Sequence, residues 1–352
     1  MVTAPVPTRR HAFASILLPC RNEEHYLATC LDSIRATTYP ADRFEILVLD
    51  GLSDDRTRQI AAGVAARDPR VRVLDNPGRT APAALNLGIG QARGDVIVRM
   101  DAHARYPIDY IPRLVAALEE TGADNVGGVL VTHPADDTAT ARAVALVMSH
   151  PLGVGNAYFR IGTPGRRWVD TVPFGCFRRD VFTRVGLFDE QLPRNQDDEF
   201  NFRLKRHGGR ILLEPSVRAT YFARRTLGQI RRMFYQYGYY KPLVARKVGR
   251  IMTVRQLVPA TFVLALGGAA ALAPWWPLAG WAGLAIAAAY AGVAAAAAAP
   301  RVRTHGWRCA ALLLAAFPIV HFSYGVGFLR GIVDHVLWPW PRTGAATPAL
   351  SR

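Results

Sequence analysis

Through the first 120 residues, short apolar runs alternate with stretches in which apolar positions recur every three or four residues. ASILL, EILVL, VRVL and VIVRM have the length and the Val, Ile and Leu content of buried strands. Between them, Leu27, Leu31 and Ile34 share one face of a helix predicted near Glu24–Arg35, and helices are predicted near Asp55–Ala66 and Pro82–Ala92. A fourth, near Ile108–Glu120, lines up Ile111, Leu114, Val115 and Leu118. Strand and helix in alternation predict an α/β fold with a parallel sheet covered on both faces. Ligands of such sheets bind outside the carboxyl ends of the strands. Asp50 and Asp101 stand at two of those ends.

The pattern changes at Gln256, where Ala, Leu, Val, Gly and Trp take over and charge disappears from Leu257–Ala273, Leu278–Ala299 and Cys309–Leu329. Each stretch is close to the ~20 residues that cross a bilayer. One buried hairpin in a soluble protein would not need three such runs, so the tail is predicted to be membrane-embedded. Arg246, Lys247, Arg250 and Arg255 precede the first run, and Arg301, Arg303 and Arg308 fill the link between the second and third. Basic residues beside spans stay on the cytosolic side, which predicts residues 1–255 in the cytosol. The uncharged link APWWP then puts Trp275 and Trp276 at the far interface. Three spans would leave the C-terminus outside, yet Arg330 directly follows the third run, so a re-entrant third run is the alternative.

Residues 1–250 hold all but one of the acidic side chains and have the mixed character of a soluble protein, in a chain of 352 residues with net charge +16. Arg9 and Arg10 precede only FASILL, which reads as a first strand and not as a signal peptide. Cys20, Cys30, Cys176 and Cys309 have no metal-type spacing and read as reduced, small apolar residues. A dinucleotide-binding dehydrogenase needs a glycine-rich turn after its first strand, and PCRNEEH has no glycine.

Two segments carry candidate chemistry: LDGLSDDRT at 49–57 and RMDAHARYP at 99–107. In the second, Asp101 and His103 are one residue apart past a strand end, and such a pair can offer a carboxylate and an imidazole to a divalent cation that keeps other positions for phosphate oxygens and water. A solvated loop histidine is the plainer reading of the same spacing.

SILLPCRNEE, VLDGLSDDRT, ALNLGIGQARGDVIVRMDAHA, VPFGCFRRDVFTRVGLFDE and NQDDEFNFRLKRHG, in this order, resemble family 2 glycosyltransferases with the GT-A nucleotide-diphospho-sugar transferase fold, a Rossmann-like, mostly parallel sheet. The resemblance covers about residues 13–240, and SHPLGVGNAYFR with Asp-Ala-His looks like the bacterial succinoglycan-type subgroup, which makes exopolysaccharide on lipid-linked sugars. It implies that Pro19, Arg21 and Glu23 line the nucleotide pocket, that Asp50 holds the base or ribose, and that Arg79 touches the nucleotide. Asp101 and His103 match the family's D-x-D motif and would hold Mg²⁺ or Mn²⁺, with His at the final acid. The catalytic base, needed because the acceptor hydroxyl must lose a proton as it attacks, aligns with Asp197 of Gln196-Asp197-Asp198-Glu199. Asp198 is its rival, and Glu199 completes the acidic cluster. Other readings stay open: Asp50 as a capping carboxylate, and the acidic cluster as stabilisation of a helix dipole.

Gln229-Ile230-Arg231-Arg232-Met233 resembles the Q-x-x-R-W motif of processive synthases, with Arg232 available to the donor pyrophosphate and Met233 in place of the acceptor-stacking Trp. With only three spans, this favours transfer of a single sugar. Arg203–Arg250 holds thirteen Lys and Arg against Glu214 alone, interleaved with Tyr235, Tyr237, Tyr239 and Tyr240. Beside a membrane tail this reads as a segment lying on anionic headgroups, with a solvated basic face as the alternative and nucleic acid the less fitting partner.

The expectation is a cytosolic GT-A domain over 1–223, a basic membrane-surface segment over 224–255, a transmembrane region over 256–337 and a tail over 338–352. Its expected activity is inverting transfer of one sugar from a nucleotide-sugar donor, such as UDP-glucose, to a polyprenyl-pyrophosphate-linked acceptor at the bacterial cytoplasmic membrane. The alternatives are a polyprenyl-phosphate sugar synthase and a non-catalytic membrane scaffold. Because the sheet and its motifs are complete by Arg250, a protein ending there is expected to fold.

Overall fold

The computed structural model describes residues 11–250 and 253–338; Arg9, Arg10 and all of the expected 338–352 tail except Trp338 lie outside them. The chain begins with β1 (Ala14–Cys20), α1 (Leu27–Arg35), β2 (Phe44–Asp50), α2 (Thr57–Ala65), β3 (Val71–Asp75), α3 (Ala81–Gln91) and β4 (Val96–Arg99). These are the elements the apolar periodicity predicts, within a few residues at each end. Ile16, Leu17, Ile46, Leu47 and Val98 are fully buried, which is why their strands read as unbroken apolar runs.

Next come a short β5 (Ala104–Arg105), α4 (Tyr110–Thr121), β6 (Asn125–His133), α5 (Ala139–Ser149), the one-turn α6 (Pro151–Val154) and α7 (Tyr158–Ile161), β7 (Arg167–Trp168), β8 (Cys176–Arg178), α8 (Asp180–Val185), α9 (Gln196–Arg206) and β9 (Ile211–Phe222). The sheet runs β3-β2-β1-β4-β8-β6-β9-β5, with β7 paired to β9. It is parallel where β1 meets β2 and β4 and where β2 meets β3, but antiparallel where β8 meets β4 and β6. The expectation of a simple parallel sheet therefore holds for its first half only. Periodicity does not disclose strands as short as β5, β7 and β8.

Backbone contacts divide the chain into two compact units: residues up to Gly128 with Pro164–Phe188 and Leu204–Ala219, and Val129–Thr163 with Asp189–Arg203 and everything from Thr220 on. In the first, α3 begins at Thr80, whose hydroxyl accepts the Ala83 N–H (3.4 Å), and carries Pro82 in its opening turn. A Cβ at Gly88 would come 2.8 Å from Leu49 and 2.9 Å from Leu17. Glycine there lets α3 lie directly on β1 and β2.

The second unit holds α10 (Leu227–Val248), α11 (Val258–Leu272), α12 (Pro277–Ala298), α13 (Arg301–His305) and α14 (Trp307–Ile332), which ends in a π-helical turn, Val333–Leu337. Three helical segments, Val254–Leu272, Pro277–Ala298 and Trp307–Leu337, are long and apolar enough to cross a membrane. In α10, Thr226 and Gln229 close a reciprocal capping box, so the first residue of the Q-x-x-R-W-like motif has a structural task. Helix α10 lies along α14, where a Cβ on Gly238, Gly327 or Gly331 would strike the facing backbone. Tyr239 and Tyr240 are buried there, Tyr239 donating its hydroxyl to Asp334 (3.0 Å) and stacking edge-on against His335 (4.7 Å). These two tyrosines pack helix against helix; they are not the surface aromatics the sequence pattern suggested.

Candidate active site

In the first unit β1 lies between β2 and β4, and β2 leads outward to β3. The chain turns back after β3 to lay β4 on the other side of β1, which makes the β1/β4 boundary a topological switch point, where α/β sheets open a crevice. Pairing between β1 and β4 ends at Leu17–Arg99, whereas β1 continues beside β2 to Cys20–Asp50. Pro19, without an N–H, therefore falls where β1 has no ladder partner on the β4 side.

The loops after β1 and β2 are laced together. Asn22 N–H donates to Ser53 Oγ (2.9 Å), Asp54 N–H to Asn22 Oδ1 (2.9 Å), Glu23 N–H to Thr57 Oγ1 (2.6 Å) and Glu24 N–H to Asp55 Oδ2 (3.3 Å). Asn22 (φ 53°), Leu52 (φ 53°) and Arg79 (φ 55°) all adopt left-handed backbone, one past each of the first three strands. Strain of this kind in non-glycine residues gathers at functional sites.

Asp50 is fully buried. Its carboxylate accepts Ser53 Oγ–H (2.5 Å) and N–H (3.2 Å), and Arg58 lies 3.8 Å away while also pairing with Asp75 at the end of β3. Asp55, two residues before α2, accepts the Thr57 N–H (2.9 Å). Burial alone would raise the Asp55 carboxyl, but hydrogen bonds from Thr57 and Glu24 hold it below its ordinary value. Arg21 lies 3.6 Å from Asp54, and its Nε is buried without a hydrogen-bond partner among the described residues.

Past β4, His103 Nε2 lies 4.0 Å from Asp101 Oδ2, and its Nδ1 lies 3.6 Å from Glu23 Oε1. Asp101 and His103 are each about one-fifth exposed (20% and 21%), enough to meet a ligand. The loop is pinned by Tyr106, whose buried hydroxyl accepts the Asp101 N–H (2.7 Å) and donates to the Asp101 carbonyl (3.1 Å). Arg99 reaches within 3.5 Å of Asp101 Oδ1. Arg99 and Tyr106 are absent from the sequence reading, although the two-residue period of a strand places Arg99 on the same side as Asp101. Among the described residues no three His, Cys, Asp or Glu side chains form a closed metal cage. A hard cation that keeps phosphate and water ligands needs no such cage, so a carboxylate beside an imidazole fits it.

All four cysteines are buried free thiols. Burial pushes the Cys20 and Cys30 thiols far up, so both are inert, and Cys30 only donates weakly to the Asp101 carbonyl (3.5 Å). Arg79 is exposed on the turn after β3, and Arg232 is exposed on α10.

The second unit carries the acidic cluster in the first turn of α9. Asp198 pairs with Lys241, which is buried on α10, and Arg203 Nη2 donates to Glu199 Oε2 (2.9 Å). Asn195, at φ 61°, precedes the helix and donates from Nδ2 to the Tyr237 carbonyl (2.9 Å). Sequence reasoning missed Lys241, which stood among many surface cations.

Residues 15–186 match the pattern of glycosyl transferase family 2. The succinoglycan biosynthesis protein ExoA of Rhizobium meliloti is 30% identical over 325 residues, covering 91% of this chain and 94% of that protein. A Methanococcus voltae enzyme, named as a dolichyl N-acetyl-α-D-glucosaminyl phosphate 3-β-D-2,3-diacetamido-2,3-dideoxy-β-D-glucuronosyltransferase, is 27% identical over 243 residues, 67% of this chain and 74% of that one. Among solved structures, the mannosyltransferase PcManGT from Pyrobaculum calidifontis, in complex with GDP-Man and Mn²⁺, superposes with a TM-score of 0.55 at 19% identity, over 94% of this chain and 89% of that one. The fold is thus the GT-A fold with three apolar C-terminal helices that could span a membrane, and the chain, matched along nearly its whole length by a family relative, belongs to glycosyl transferase family 2.

Proposed function

We propose that this glycosyltransferase is an inverting, divalent-metal-dependent enzyme that moves one hexose from a nucleotide sugar, UDP-glucose or a close relative, to a lipid-linked saccharide on the cytosolic face of a bacterial membrane. One observation carries the reading: the switch point of the sheet gathers Arg21, Glu23, Asp101 and His103 in partly exposed positions beside the laced β1 and β2 loops. The names of the relatives, one for succinoglycan biosynthesis and one for transfer to a dolichyl-linked sugar, favour a lipid-linked acceptor.

In this reading Asp50 and Pro19 border the base and ribose, and a bound nucleotide supplies a partner for the buried Nε of Arg21. Asp101 and His103 would hold Mg²⁺ or Mn²⁺, and Glu23 orients the imidazole from its other nitrogen. The cation, when bound, neutralises charge on the departing diphosphate. Arg79 and Arg232, both exposed, remain available to the donor phosphates. Asp197 takes the proton from the acceptor hydroxyl; Asp198 and Glu199 are engaged by Lys241 and Arg203 and serve to hold α9. A displacement driven by a carboxylate base without a covalent intermediate inverts the anomeric centre.

The test incubates membranes containing the protein with radiolabelled nucleotide hexoses and a lipid extract. Chelator-sensitive passage of label into the lipid phase, released as an oligosaccharide longer than one sugar, supports the reading. Release of a monosaccharide alone would identify a polyprenyl-phosphate sugar synthase, and no turnover of any donor would leave a membrane scaffold.

A further inference from the structure

The third apolar helix has the length and composition of a membrane span but not the surroundings of one. At 26 residues, α14 extends about 39 Å at 1.5 Å per residue. Elements of polar sequence pack along it. His150 stacks on Phe317 at 5.4 Å, and α10, with its Lys and Arg, lies against Tyr324, Gly327 and Gly331, where a Cβ on Gly238, Gly327 or Gly331 would strike the facing backbone. At its end, Arg246 donates to the His335 carbonyl (2.7 Å) and Arg330 pairs with Asp334 (3.0 Å). A charge forced to the centre of a bilayer costs about 2.5–3.5 kcal/mol, and a transverse α14 would draw the Lys- and Arg-bearing α10 packed along it toward the hydrocarbon.

The contacts with α11 and α12 say the same. The buried residues of these two helices are Ala260, Ala294 and Ala298, all near the open end of the hairpin. Helix α14 meets them there: a Cβ on Gly325 would sit 2.5 Å from the Pro259 carbonyl and 2.6 Å from Val263, and Phe322 packs on Phe262 at 5.5 Å. Toward the tip, Leu264, Leu272, Trp281 and Leu284 are more than half or about half exposed. A third span would run along the hairpin; α14 crosses its base. The remaining face of α14 is apolar, with Trp307, Leu314, Phe322 and Val326 exposed within about 120° of arc at 3.6 residues per turn.

We infer that only α11 and α12 cross the bilayer, and that α14 lies in the plane of the membrane surface on the side of α10, its apolar stripe sunk among anionic lipid headgroups and Trp338 on that same side. The occupant of the stripe is lipid because Arg308 and Arg330 stand near the two ends of α14, with Arg301 and Arg303 on α13 just before it, and because it is continuous with a bilayer-crossing hairpin. This topology also removes the conflict between three spans and an arginine after the third. The inference rests on the membrane anchoring proposed above.

Single cysteines placed in the full chain test it, the four native thiols being buried. With a membrane-impermeant maleimide, Trp338→Cys, at an exposed position, is expected to react in inverted vesicles and Trp276→Cys in right-side-out vesicles. Trp338→Cys reacting from the same side as Trp276→Cys would overturn the topology. Reaction of Trp276→Cys equally from both sides, with carbonate extraction releasing the protein, would instead refute membrane anchoring itself. Nitroxides at Leu314, Phe322 and Val326 are expected to report one common depth, whereas a steep gradient along the three positions would establish a transverse helix.

Discussion

The first turn of α9 offers three carboxylates, of which Asp198 meets Lys241 and Glu199 meets Arg203, and replacing them one at a time should separate chemistry from scaffolding. Asp197→Asn keeps the size of the side chain and removes the base, and transfer should fall by at least ~10²-fold, the usual contribution of a positioned base, with donor affinity within a few-fold of the wild type. Asp198→Asn should act on stability. Its partner Lys241 is 9% exposed at the side chain and Asp198 is 24% exposed. Breaking a fully buried pair costs about 3–5 kcal/mol; with one partner a quarter exposed, about 2–3 kcal/mol is the fitting expectation. For a unit of this size that is roughly 4–12 °C in Tm at 2–4 °C per kcal/mol. Lys241→Met should lower Tm similarly, while Lys241→Met combined with Asp198→Leu, which removes both charges, should recover much of it. Tm is read by tryptophan fluorescence in detergent, and transfer by single-turnover incorporation at saturating donor. If Asp198→Asn abolished transfer with an unchanged Tm while Asp197→Asn retained more than about a hundredth of the activity, the assignment of the base would be wrong.

Asp101→Ala and His103→Ala should each weaken metal-dependent donor binding, and activity undiminished by excess chelator would remove the cation from the mechanism. Tyr106→Phe leaves the Asp101 N–H without its hydroxyl partner, a loss of about 1–3 kcal/mol; titration with Mn²⁺ should show weaker activation, and unchanged titration would limit Tyr106 to packing. Gly331→Val forces side-chain atoms into the Tyr239 backbone across α10 and α14 and should lower Tm sharply, whereas Gly292→Ala, with open space around it, should not. Hydrogen bonds from Arg70 and Arg35 outweigh burial and hold the Asp68 carboxyl well below the usual carboxylate range. Its folded pKa being depressed, the stability it contributes is present above the unfolded value of about 4 and lost as pH falls below it, so wild-type Tm should drop more steeply between pH 5 and 3 than that of Asp68→Asn.

What the sequence disclosed follows from how completely each element is buried. Strands β1, β2 and β4 announce themselves because both of their faces are covered, and Asp50 and Asp101 are conspicuous because a charged residue ends an apolar run. Strand β8 is three residues long and has no period to detect, whereas β9 alternates over its second half, with Val217, Ala219 and Tyr221 buried between Ser216, Arg218 and Thr220, a period masked by the buried Glu214 and by Pro215 before it. The site shows the same limit. Asp101 and His103 could be named from spacing, but Tyr106 looks like any aromatic at a helix approach until its hydroxyl is seen bridging the two backbone groups of Asp101. Lys241 is harder still: nothing local distinguishes it from Arg231 or Arg246, and only the packing of α10 buries it against Asp198.

That packing bears on the expectation that a protein ending at Arg250 folds. The compact unit that contains α9 is assembled from Val129–Thr163, Asp189–Arg203 and the whole chain after Thr220. Removing α14 would bare the glycine and tyrosine face of α10 and the apolar face of α5, whose Val144, Val147 and Met148 are buried. The residues proposed for the donor, Arg21, Glu23, Asp50, Asp101 and His103, belong to the other unit, built within the first 128 residues and two later segments. Loss of the C-terminal helices should therefore damage α9, with Asp197, before it damages the loops after β1, β2 and β4, because α9 is held by α10 through Lys241 and α10 is held by α14. Under the proposed function, Asp197 is thereby tied through Lys241 and α10 to α14, and the C-terminal helices would support the acceptor side as well as anchor the chain.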